Sequence, residues 1–218
     1  MKILSWDIGI VNSAYCLFEV EDKQFKVLKW GLINLVDDSI CSQCKKKGVH
    51  TKDNVTYCQT HKPTGGKKIP TATKIDIEEL CYKLILELDK LELLDCDEVI
   101  IENQPCMKNP KMKSISSCVF NYYLIRGKVD KQRVKSVSFI SATNKLKVPV
   151  EIELKQSECS SKYQYRKKAS KMICEKMIKD NKDYLEMYNS HKKKDDLADC
   201  FLQGVYYINK TVKNCQFS

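Results

Sequence analysis

The first 35 residues are patterned as strands. MKILSWDIG is an apolar run that ends on an aspartate and a glycine, NSAYCLFEV is a second run of strand formers, and FKVLKWGLINLV is a third. The link EDKQ is short, so the pattern predicts an antiparallel meander. The period then changes. In IDIEELCYKLILELDKLELL the apolar residues Ile75, Ile77, Leu80, Leu84 and Leu88 recur at helical spacing. DEVIIENQP reads as a short buried strand, NPKMKSISSCVFNYYLIRGKV as a second helix and RVKSVSFISA as a fifth strand. A third helix is predicted over 163–179, basic on its first turn, and a last one over 194–209, where Leu197, Phe201 and Val205 repeat every four residues. This order predicts an α/β fold: a mixed five-stranded sheet, three strands antiparallel and then parallel ones, flanked by helices.

Residues 36–70 break the pattern. They hold few large apolar residues, seven lysines and the spacing Cys41-x2-Cys44, a loop, then Cys58-x2-His61. Two close pairs separated by a loop match a tetrahedral zinc site, each pair gripping one side of the ion. A closed four-ligand site leaves no position for water, so this Zn2+ is expected to be structural, folding an insert too short to build its own core. His50 is spare and is expected in an exposed loop. The organisation predicted is one domain over 1–218, interrupted by the zinc-binding basic insert at 36–70.

Composition narrows the class. Hydrophobic residues make up 43% of the chain, enough for a core, and no apolar run approaches the roughly 18–20 residues that span a bilayer. MKILSWDIG lacks the charged, apolar and small-residue order of a secretory leader, so a cytoplasmic location with no membrane partner is expected. Of the 12 cysteines, Cys81, Cys118, Cys174 and Cys200 fall in helical apolar patterns, where a free thiol packs as a small hydrophobe. The net charge of +10 favours a polyanionic partner, since each phosphate neutralised releases a counterion. Simple solubility is the plainer alternative.

Acidic residues carry the candidate chemistry. Asp7 ends the first strand, where a turn former would also suit. Glu102, in VIIENQP, ends a strand expected to be buried, where an unpaired carboxylate is costly. In HKKKDDLADC, Asp196 and Asp199 share a helix face, and Asp195 and Asp199 nearly do. The helix dipole alone would account for Asp195 and Asp196, but not for Asp199, Asp7 or Glu102. Two strand-end carboxylates and two on a late helix, brought to one sheet edge, would repel each other unless a divalent cation lay between them. Hard oxygen donors suit Mg2+ or Mn2+, and two ions about 4 Å apart would activate water for phosphodiester cleavage.

Asp7 with its DIG turn, Glu102 in IIENQP and the Asp-x-x-Asp of KKDDLAD resemble the four acids of RuvC-type Holliday junction resolvases, nearest to the branch of poxviruses, other large DNA viruses and fungal mitochondria. NQP-x-x-KNPKMKSIS and KYQYRKKAS extend the resemblance over almost the whole chain outside 36–70. The resemblance implies an RNase H-like fold, a homodimer, and Mg2+-dependent paired nicking of four-way DNA junctions. It places Asp7, Glu102, Asp196 and Asp199 as metal ligands, with Asp195 competing with Asp196 for the register. It also implies a basic residue near the scissile phosphate, within Arg166, Lys167 and Lys168, and Lys167 is favoured.

Further DNA contacts are expected from Lys108, Lys111 and Lys113 around Asn109-Pro110, a helix start suited to phosphate, and from Lys168. Lys145 and Lys147 are expected along the same DNA path, and Tyr122 and Tyr123 in the core or a dimer face. Three other readings are weighed against the resolvase. DIGIVNSA resembles the phosphate-binding turn of actin-like ATPases, but seven glycines do not supply their further loops. A non-catalytic zinc-containing DNA-binding module leaves Glu102 unexplained. An RNase H-like nuclease acting on flaps or RNA–DNA hybrids is separated only by substrate.

Overall fold

The computed structural model describes residues 1–36, 39–104, 109–191, 193–212 and 215–217. Strands β1 (Lys2–Asp7), β2 (Asn12–Glu21) and β3 (Gln24–Asn34) form the antiparallel meander, with Asp7 opposite Ala14 and Asn12 opposite Asn34. Next come a small second sheet formed by β4 (His50–Lys52), β5 (Val55–Tyr57) and β6 (Lys67–Lys68), then helix α1 (Ile77–Leu91). Strand β7 (Glu98–Glu102) lies parallel to β1, and β8 (Ser136–Ile140) parallel to β7. Between them α2 (Pro110–Tyr122) runs on as a π-helical stretch, Tyr123–Asp130. The chain closes with α3 (Lys162–Ile178), α4 (Lys182–Ser190), α5 (Lys194–Thr211) and the two-residue β9 (Gln216–Phe217), parallel to β3. The main sheet runs β8-β7-β1-β2-β3-β9. This is the predicted five-stranded mixed sheet with one more edge strand.

Strand alternation divides the core into two layers. Ile3, Cys16, Phe18 and Ile100 point to one face, where Leu197, Phe201, Leu202 and Val205 of α5 cover them. Leu4, Trp6, Val99 and Ile101 point to the other, under Leu80, Leu84 and Leu88 of α1 and Ile115 and Val119 of α2. Strands covered on both faces read as continuous apolar runs, which is why ILSW and VII carry so little polar punctuation. Asp76 caps α1 by accepting from the Glu78 N–H at 2.8 Å, and Asn109 caps α2 by accepting from the Met112 N–H at 3.1 Å.

Helix α5 is seated by buried hydrogen bonds as well as by packing. Ser5 Oγ donates to the Cys200 carbonyl at 2.8 Å, Gln203 Nε2 donates to Ser5 Oγ and to the Trp6 carbonyl at 3.1 Å each, and Trp30 Nε1 donates to the Leu197 carbonyl at 3.2 Å. These bonds fix the rotation of α5, and therefore which of its acids faces β1. Gly204 allows the close approach: a Cβ there would lie 2.1 Å from Cε2 of the fully buried Phe18. Alanine would gain about 1 kcal/mol of helix propensity, but the overlap with a core ring costs more. Gly204→Ala is therefore expected to lower stability by a net of up to about 2 kcal/mol, an overpacking cost of about 1–3 kcal/mol less the propensity gain, as read by thermal unfolding.

Candidate active site

Parallel pairing sets the geometry. Asp7 and Glu102 are the last residues of the neighbouring parallel strands β1 and β7, so both lie at the carboxyl edge of the sheet, where open α/β sheets bind ligands. Helix α5 begins at that edge, with Asp195 and Asp196 in its first turn and Asp199 one turn on. The carboxylates converge on a lysine. Lys145 Nζ donates to Glu102 Oε2 at 2.6 Å, to Asp7 Oδ1 at 3.0 Å and to Asp199 Oδ2 at 3.0 Å. Lys145 is 7% exposed. It is not on an outer DNA path, as the sequence suggested, because the loop after β8 turns it into the cluster. A position just beyond a parallel strand's carboxyl end was the one sequence signal for this.

The electrostatics follow from burial and crowding. Burial pushes Asp7 up to about 8, with Lys145 pulling it down and Glu102 pushing it further up. Burial also raises Asp196 to about 6, with Asp195 and then Asp7 adding to it, and burial raises Asp199 against the pull of Lys145. Burial disfavours the Lys145 ammonium, but Asp7, Asp199 and Glu102 outweigh it and hold its pKa well above the usual value. One ammonium thus stands in for a cation among oxygen donors that repel one another. An all-oxygen donor set that already holds a positive charge fits a hard divalent ion such as Mg2+ or Mn2+.

The two adjacent aspartates part company. Asp195 forms an ion pair with Lys167 of α3, while Asp196 lies within the field of Asp7. Burial works against the Asp195 charge, but Lys167 more than offsets it and lowers its pKa. Lys167 also sits 5.1 Å from the Tyr163 ring centroid. Glu102, Lys145, Arg166, Lys167, Ser170 and Asp199 line a single cleft of about 190 Å³. Arg166, Lys167 and Lys168 stand one turn inside α3 rather than on its first turn, because Ser161 caps the helix by accepting from the Gln164 N–H.

The other expected DNA contacts fare unevenly. Lys108 lies outside the described residues. Lys113 donates to Asn103 Oδ1 at 3.3 Å and lies 4.1 Å from the Phe139 ring centroid, next to the cluster. Lys111 is turned away, donating to the Thr73 and Ile75 carbonyls at 2.7 and 2.5 Å. Lys168 and Lys147 are exposed, and Lys147 donates to Asn144 Oδ1. Tyr122 and Tyr123 are buried in the layer under α1 and α2.

In the insert, Cys41, Cys44, Cys58 and His61 bring their ligand atoms within 4.8 Å of one another. Cys44 Sγ to Cys58 Sγ is 3.7 Å, and His61 Nδ1 is 3.5 Å from Cys41 Sγ and 3.6 Å from Cys58 Sγ. Tetrahedral zinc, with Zn–S of about 2.3 Å and Zn–N of about 2.0–2.1 Å, places its ligands about 3.5–3.8 Å apart. The donor set therefore fits zinc in both chemistry and size. Burial pushes the Cys41 thiol up, but backbone N–H groups of Cys58 and Gln43 and the His61 ring bring it down to about 6, favouring the thiolate. His50 is not an exposed loop residue: it is 4% exposed on β4, paired with Tyr57 and Lys68.

No family model matches the chain. An uncharacterized protein of Acanthamoeba polyphaga mimivirus is 28% identical over 98% of this chain and 77% of its own. The fowlpox virus resolvase, solved with its Holliday junction DNA substrate, superposes with a TM-score of 0.55 at 19% identity, over 98% of this chain and 100% of the other. The yeast mitochondrial Holliday junction resolvase Ydc2 gives 0.52 at 15% identity, over 94% and 78%. The chain has the fold of the Holliday junction resolvases. RuvC of T. thermophilus, also solved with a junction, shares this resolvase fold at a TM-score of 0.50 and 9% identity, over 98% of each chain. In this chain the acid cluster lies at the carboxyl edge of the main sheet, between β1, β7 and α5. The cysteine cluster belongs to the link between β3 and α1.

Proposed function

We propose that the chain is a metal-dependent endonuclease that resolves four-way DNA junctions by paired phosphodiester hydrolysis. The observation that supports it most is the convergence of Asp7, Glu102 and Asp199, from β1, β7 and α5, on one cationic centre at the carboxyl edge of a resolvase fold. Asp7, Glu102, Asp196 and Asp199 would hold the divalent ions. Bound Mg2+ or Mn2+ supplies an acidified water and neutralises charge on the phosphate. Asp195 holds Lys167 over the same cleft, where its ammonium faces an incoming phosphate. Lys113 and Lys168 extend positive charge from the cleft and position the backbone without reading bases. In the insert, one Zn2+ held by Cys41, Cys44, Cys58 and His61 is structural.

Two symmetric nicks call for two active sites related by a two-fold axis, and therefore for a homodimer. On the α2 side of the sheet, Ile85, Cys118, Tyr122 and Ile125, with Lys113 and Arg126, line a largely apolar groove of about 630 Å³. A second copy docking there would bury this surface. Ile125, itself 54% exposed, makes a direct test. Ile125→Asp is expected to convert dimer to monomer in sedimentation velocity; an unchanged dimer would move the interface elsewhere.

A second reading keeps the chemistry and changes the substrate, since the cleft recognises phosphate rather than sequence. The test is a panel of four-way junction, linear duplex, flap and RNA–DNA hybrid with Mg2+ or Mn2+. Preference for the junction supports resolution, and equal cutting of all four supports a general RNase H-like nuclease.

A further inference from the structure

The zinc insert is left unused by the chemistry above, yet it is basic: over 36–70, seven lysines against Asp37, Asp38 and Asp53 give a formal +4. Within it, residues 41–70 contain all seven lysines and one aspartate, a formal +6. Elsewhere some surface lysines have acidic partners, as in Lys2–Asp95, Lys26–Glu19, Lys83–Glu79 and Lys90–Glu87, and others, such as Lys147 and Lys168, make no ion pair among the described residues. In the insert, Lys45, Lys46, Lys52, Lys62, Lys67 and Lys68 are exposed and make no ion pair among the described residues. Charge left unbalanced on one small element suits a polyanion better than general solubility.

The topology places this element beside the cleft. The chain leaves the main sheet at Asn34, which pairs with Asn12 at the edge where Asp7 pairs with Ala14. Leu35 N–H donates to the Val11 carbonyl at 2.8 Å, holding the departure against the loop that follows Asp7. The return is held as well. Lys111, on the first turn of the helix that follows the Glu102 strand, grips the Thr73 and Ile75 carbonyls. Both ends of the insert are thus anchored at the carboxylate edge. Six residues separate Asn34 from Cys41, a reach over seven Cα steps of at most about 25 Å, which is less than one turn of B-DNA at about 34 Å.

We infer that the zinc insert is a duplex-arm clamp: its lysines bind the phosphate backbone of a DNA arm within about one helical turn of the cut. The Cys41/Cys44 and Cys58/His61 pairs bring the Lys45–Lys47 turn and the Lys62 segment to one cluster, and β6 carries Lys67 and Lys68 against β4. The lysines are therefore held in place before DNA arrives, which lowers the ordering cost of binding. The DNA substrate rests on the nuclease reading; the placement and charge of the insert do not.

The test uses the full chain with Glu102→Gln throughout, so that binding is read without cutting. Lys45, Lys46, Lys67 and Lys68 are replaced by serine together, and Lys67 and Lys68 by glutamate in a second variant. Zinc content and melting temperature check the fold of each. Affinity for a junction with long arms is measured by fluorescence anisotropy across a salt series. The fourfold variant should bind at least tenfold more weakly, with a log–log salt slope shallower by about 2–4, close to 0.9 per lost phosphate contact. The deficit should shrink on a junction whose arms are shorter than one turn. An unchanged affinity and slope on long arms would overturn the clamp, as would conversion of a dimer to a monomer by the lysine changes, which would make the insert a self-association surface. A wild-type chain that cuts no junction yet shows the slope change would overturn the nuclease reading and leave the clamp standing.

Discussion

Replacing Glu102 with glutamine is expected to lower junction cutting by on the order of a thousandfold, the scale on which a lost electrostatic group at a reacting centre registers. The amide keeps the shape of the side chain and leaves an oxygen to accept from Lys145, so the sheet should fold as before. It removes one of the negative charges gathered around Lys145 at this edge. Junction binding should persist or tighten, because one fewer carboxylate faces the phosphates. Asp7→Asn and Asp199→Asn should behave alike. The adjacent aspartates should not: Asp196→Asn is expected to fall with the severe group, because its carboxylate lies in the field of Asp7. Asp195→Asn should cost about tenfold or less, the scale of one charge-assisted hydrogen bond, because it frees Lys167 and removes no carboxylate bonded to Lys145. Single-turnover cleavage of each variant, beside its binding affinity, reads this out. Equal losses at 195 and 196 would contradict the division of roles.

Removing zinc should unfold the insert and spare the sheet. Among residues 39–70 only Cys41, Gly48, His50 and Cys58 are buried, and two of those four belong to the Cys/His cluster. The insert has no apolar core to fall back on. Structural zinc supplies about 10–16 kcal/mol in zinc-finger peptides, far more than so few buried contacts can replace. Chelation, or Cys58→Ser, is expected to release one zinc per chain and open 41–70 to protease. The melting transition of the main sheet should move little, since its two apolar layers lie on β1, β2 and β7 and draw on no insert residue but those at its roots. Retained protease resistance after complete metal loss would show that the cysteine cluster is not what holds the insert.

Much of this arrangement was legible in the sequence, and the rest was hidden for identifiable reasons. Strand-length apolar runs gave β1, β2, β3, β7 and β8, and the fourfold spacing of Leu197, Phe201 and Val205 gave the inward face of α5. Zinc-ligand spacing gave the cysteine cluster because each half-site is local. Helix α4 was missed because its nine residues are shorter than the stretch over which a helical period is read. Strand β9 is two residues long and exists through pairing with β3, far away in sequence. His50 looked like a loop residue because nothing local shows the β4–β6 pairing that buries it. The register of Asp195 and Asp196 depends on how Ser5, Gln203 and Trp30 rotate α5 against β1, which no spacing within KKDDLAD encodes. Lys145 was hidden for the same kind of reason, since its role is set by a loop that folds back over two strand ends.

The most direct measurement follows both labelled strand pairs of one synthetic four-way junction, incubated with the wild-type chain in Mg2+ or Mn2+ and, in parallel, in EDTA. The account predicts two nicks at symmetry-related positions near the branch point, present only with the divalent ion and absent from the Glu102→Gln chain. Tight junction binding with no nick under either metal, or nicks that survive both EDTA and Glu102→Gln, would contradict the assignment of cleavage to the carboxylate edge.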